Sequence, residues 1–97
     1  MAARKKAANV RTVKVRDMEI HIDEAYANSW EAFMLLREFK SAESDELAKF
    51  DLSMKLIETA TGITEADIVE AAGGVKAPAI DVIKLAVDIV QAIAPKN

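Results

Sequence analysis

From Ala79 to Ala94 the chain reads AIDVIKLAVDIVQAIA, and its polar residues are Asp81, Lys84, Asp88 and Gln91, spaced three, four and three apart. At helical periodicity those four side chains fall on one narrow line. Ile80, Val82, Ile83, Leu85, Ala86, Val87, Ile89, Val90, Ala92 and Ile93 wrap the rest of the circumference, much wider than the stripe of an ordinary surface helix. Such a helix must be covered on most of its sides. It is either the central helix of a small domain or a helix whose surplus apolar face meets another subunit.

The other elements must supply that cover within 97 residues, enough for one domain and too few for two. Apolar residues make up 52% of the chain and aromatic residues only 5%, so the core is expected to be aliphatic, with Trp30, Phe33, Phe39 and Phe50 as its few large pieces. There is no cysteine, which removes disulfides, thiolate chemistry and cysteine-ligated zinc. The most apolar segment is interrupted by Asp81, Lys84 and Asp88, so no membrane span is expected. The opening MAARKKAANVR is basic but leads into no hydrophobic signal segment, and the expected location is the cytoplasm.

Charge is laid out asymmetrically. Residues 1–16 carry six Lys or Arg and no acid, whereas residues 17–97 carry seven bases against sixteen acids. A basic arm is one mark of a nucleic-acid contact, and a small DNA-binding regulator is the alternative it raises. The arm has no interleaved aromatics, however, and an acidic body repels a phosphate backbone. The expectation is therefore a flexible, solubilising arm at 1–10, joined to a single helical domain at 11–97.

Within that domain, TVKVRDMEIHI alternates Val13, Val15, Met18, Ile20 and Ile22 with polar residues, the period of strands with one wet face. A hairpin is expected at about 12–22, turning at Arg16-Asp17 and laying its apolar face on helices. Four helices follow, at about 28–39, 45–60, 65–72 and 79–94. Asn28 and Glu31 have the spacing to cap the first. Leu47, Phe50, Met54 and Ile57 mark the contact face of the second. Thr64 and Asp67 form a capping box for the third, with Ile63 and Ile68 as its hydrophobic staple, and the glycines at 73 and 74 end it. Pro78 suits the first turn of the last. The fold class read from this pattern is mainly α, a small four-helix domain with an N-terminal β-hairpin.

Catalytic chemistry finds little to work with. Asp23 with Glu24, and Glu43 with Asp45 and Glu46, are carboxylate clusters in strongly polar surroundings, where solvated helix beginnings and loops are the ordinary outcome. Gly62, Gly73 and Gly74 belong to no phosphate-binding loop. His21 is the only histidine and falls on the polar side of its strand, and the aspartates lack calcium-loop spacing, so neither a metal nor another cofactor is expected. What exceeds the needs of a small core is apolar surface. Trp30, Phe33, Leu36, Val82, Leu85, Ile89 and Ile93 are the candidate surface for a client or for self-association, and a non-enzymatic binding or assembly protein is the expected class, with a homo-oligomeric adaptor as the general form.

In layout the chain resembles the tail assembly chaperones of long-tailed phages and prophages. VKVRDMEIHIDEAYANSWEAFMLLREF leads a hairpin-like segment into an aromatic-rich first helix, FDLSMKLIETATG and ITEADIVEAAGG follow, and the remainder is acidic and helical. The likeness runs from about Val13 to Pro95. It implies a protein that self-associates, binds the tape measure protein, keeps it soluble and helps bring tail tube protein onto it during assembly.

Overall fold

The computed structural model describes residues 10–42 and 44–94. The basic arm expected at 1–10 lies outside these residues except for Val10, which opens the first strand. Strands β1, Val10–Val15, and β2, Met18–Asp23, pair antiparallel with Val13 opposite Ile20 and Val15 opposite Met18. Alternation sorts the side chains as its period requires: Val15, Ile20 and Ile22 are buried, while Glu19 and His21 remain exposed. The turn is tight because Arg16 takes a left-handed φ of 56°, a position that glycine usually fills. Arg16 spans to the last helix instead, where its guanidinium donates to Asp88 Oδ2 at 2.7 and 3.2 Å.

The described residues hold five helices, one more than the four expected. The additional one is a single turn, α1, Glu24–Ala27, whose first amides are met by Asp23, which accepts from the Tyr26 N–H. This turn moves the next cap. Asn28 closes α1, donating from Nδ2 to the Glu24 carbonyl at 2.9 Å, and Ser29 rather than Asn28 caps α2, Trp30–Ser41, accepting from the Ala32 N–H. Two cap-competent residues stand side by side, and the one with extended backbone takes the role. Glu31 accordingly makes no capping box, and its carboxylate accepts a hydrogen bond from the Tyr26 hydroxyl at 2.9 Å.

Helix α3, Glu46–Thr61, starts at the Asp45 cap and stops at Gly62, whose φ of 82° supplies the left-handed residue that ends a helix. Helix α4, Glu65–Ala71, has both halves of the Thr64–Asp67 capping box, with Ile68 buried and Ile63 packed against the core. Helix α5, Ala79–Ile93, begins just after Pro78. Helix α3 is the hub: α2 and α5 both pack on it, β2 crosses it, and β1 and α4 close over α5.

The core is aliphatic. Ile20 and Ile22 from the hairpin meet Leu56 and Ile57 of α3, Ile68 of α4 and Leu85, Ile89 and Ile93 of α5, each at most 1% exposed. Of the aromatics expected inside, Phe39 and Phe50 pack only at the edge, and Trp30 and Phe33 lie outside. Arg11 locks the hairpin to the far end of α5. It pairs with Glu24 and donates to the Ala92 and Ile93 carbonyls at 3.1 and 3.2 Å, in the last turn of α5, where a helix leaves carbonyls without intrahelical donors. No helix of the described residues is long and apolar enough to cross a membrane.

Candidate functional site

The seven residues singled out from sequence separate into three environments. Leu85, Ile89 and Ile93 are buried within the chain, so the surface expected of them is not there: α3, α4 and β1 together cover the apolar face of α5 from Leu85 to Ile93, while Ile80 at its start stays exposed. Leu36 and Val82 are partly buried against the same core. Trp30 and Phe33 are 65% and 51% exposed.

Those two aromatics form a defined surface. One turn apart on α2, their rings stack with centroids 5.2 Å apart and planes at 28°. The Arg37 guanidinium sits 5.9 Å from the Trp30 ring and 5.7 Å from the Phe33 ring, within range of cation–π attraction. The helix turns this face outward because its core contacts are made by Ala32, Leu35, Leu36 and Phe39. Trp30, Phe33, Arg37 and Lys40 recur at intervals of three, four and three, so an exposed stripe runs along α2, aromatic at its start and basic at its end.

A second apolar surface was not visible as a unit in the sequence. A groove of ≈ 360 Å³ opens among the first turns of α3, helix α4, the Gly73-Gly74 loop and the first turns of α5. Leu47, Phe50, Val69, Val75, Val82 and Ile83 give it apolar walls, and among the described residues Glu65 is the one charged side chain lining it. It continues into an adjoining depression that shares Glu65, Val69, Gly74 and Val75 and adds Glu70. Leu47, assigned by periodicity to the contact face of α3, is 69% exposed, because the stripe starts a turn before the core does. Val75 is 89% exposed and stands alone in a loop, where no periodicity marks it.

The sites considered for chemistry stay apart. Asp45 caps α3, Asp23 caps α1, and Glu43 lies outside the described residues. His21 is on the exposed strand face with Nδ1 3.1 Å from Thr12 Oγ1. Among the described residues no three His, Cys, Asp or Glu side chains gather as a metal site. Among the described residues the Tyr26 hydroxyl is the one group with a marked shift: burial first, and then the hydrogen bond and charge of Glu31, push its pKa from the ordinary 10.0 up to about 12. It serves as a donor linking α1 to α2. No family model matches the chain, and neither a curated protein nor a solved structure does.

Proposed function

We propose that this chain is a non-enzymatic binding and assembly protein that self-associates and holds a helical client, in the manner of a phage tail assembly chaperone acting on a tape measure protein. The observation that carries the reading is the outward-facing Trp30–Phe33 stack, braced by Arg37 on the side of α2 away from the core. A small domain with an aliphatic core gains nothing in its own fold from presenting a tryptophan and a phenylalanine together to water. Paired aromatics beside an arginine are the composition that anchors protein interfaces. An acidic body keeps the unloaded protein soluble while such a surface is open.

Two measurements test this reading. Light scattering coupled to size exclusion, over a range of concentrations, is expected to give a mass of several subunits. Co-expression with a tape measure protein encoded beside it is expected to keep that protein soluble and to recover both together. A mass that stays at one subunit, combined with a tape measure protein that precipitates whether or not the chain is present, would sink the proposal.

A further inference from the structure

The two apolar surfaces are complementary to each other. The α2 stripe carries two large aromatic rings followed by two cations, Arg37 and Lys40, and no acid. The groove offers ≈ 360 Å³ between apolar walls, with Glu65 in its lining and Glu70 in the adjoining depression, and among the described residues no cation lines either. Helix α4 as a whole, EADIVEA, carries three acids and no base. Neither Glu65 nor Glu70 has an ion-pair partner among the described residues. A small-molecule pocket would bring several convergent polar groups to fix its ligand, and the described residues of this groove bring one carboxylate. Its form suits an amphipathic helix laid along it, with large apolar anchors one turn apart and a basic continuation.

The stripe cannot reach the groove of its own chain. It lies on the side of α2 turned away from α3, whereas the groove is built across α3 from α4 and α5, and no residue of α2 lines it. We infer that the groove receives the α2 stripe of a second copy: Trp30 and Phe33 enter between Leu47, Val69, Val75 and Val82, and Arg37 and Lys40 lie against Glu65 and Glu70. The inference rests on the self-association reading and names the two surfaces that meet. Different patches join, so the contact is heterologous, and each copy keeps a free stripe at one end and a free groove at the other. Growth then continues copy by copy until a ring closes, or stays open.

This geometry has a signature that a two-fold dimer lacks. Phe33→Glu spoils the stripe, and the pair Leu47→Glu with Val75→Glu spoils the groove. All three positions are at least half exposed, so circular dichroism of each variant should match the parent. Light scattering is expected to show each variant alone as a monomer, and their equimolar mixture as a dimer and nothing larger, because one intact stripe and one intact groove remain. In a separate background, Arg37→Glu should weaken assembly, and Glu65→Arg on the same chain should restore it. If either variant alone assembles like the parent, or the mixture stays monomeric, the stripe-in-groove contact is wrong while self-association itself stands. A parent chain that is monomeric at every concentration would overturn both.

Discussion

Tyr26 is the only tyrosine in the chain, so its ionisation can be followed without interference. Its folded pKa of about 12 lies above the ordinary 10.0, which means the folded state holds the phenolic proton more tightly than the unfolded state. The stability this contributes is complete below about pH 10 and is lost as pH rises from there through about 12. An absorbance titration of phenolate should show the late ionisation in native protein and the ordinary one in denaturant. Glu31→Gln should bring the value down part of the way only, because burial is the larger cause. Core and surface residues are separated as sharply. Ile89 is fully buried and Phe33 half exposed. Urea unfolding should find Ile89→Ala destabilising by about 2–5 kcal/mol, and Phe33→Ala, measured in dilute monomer, within about 0.5 kcal/mol of the parent.

At the scale of elements, the hairpin depends on side chains that reach past their own strand. A two-stranded sheet is marginal alone. Ile20 and Ile22 fasten one strand into the core, and Arg11 fastens the other through Glu24 and the last carbonyls of α5. Arg11→Met keeps the aliphatic stem and removes those contacts. It should lower stability by about 1–2 kcal/mol, mostly through the carbonyls left unmet and little through the partly exposed ion pair. Amide exchange should locate the loss in β1 and the last turn of α5, with α3 protected as before. Sequence reading reached these elements unevenly for physical reasons. The capping box at Thr64 is a contact between residues three apart, and it is legible wherever the chain is local. The single turn α1 was not, since four residues carry no periodicity, and Asn28 and Ser29 were equally able to cap until backbone geometry chose between them.

For the whole molecule, an assembly that forms through the native surface must shift thermal stability with concentration, since association draws on the folded state alone. The midpoint of unfolding is expected to rise with protein concentration in the parent chain and to become independent of it in Phe33→Glu. At the lowest concentration the two should coincide, because Phe33 contributes to no buried core. Trp30, the only tryptophan, provides a parallel reading: its emission should move to shorter wavelength on assembly as water leaves the stack.

By itself the sequence determined the order and type of the main elements, the aliphatic character of the core and the polar line of α5, because each depends on neighbours within a few residues. Whether the surplus apolar face of α5 was core or interface depended on residues distant in the chain. Tertiary packing decided it by bringing α3, α4 and β1 around that helix, so that Leu85, Ile89 and Ile93 became interior. The same packing left Trp30 and Phe33 in water, because Ala32, Leu35, Leu36 and Phe39 already occupy the inner side of α2. It also joined Leu47, Val69, Val75 and Val82 from separate elements into one groove. Periodicity reports that a helix has an apolar side, but only the arrangement of the other helices sets which apolar sides find partners within the chain.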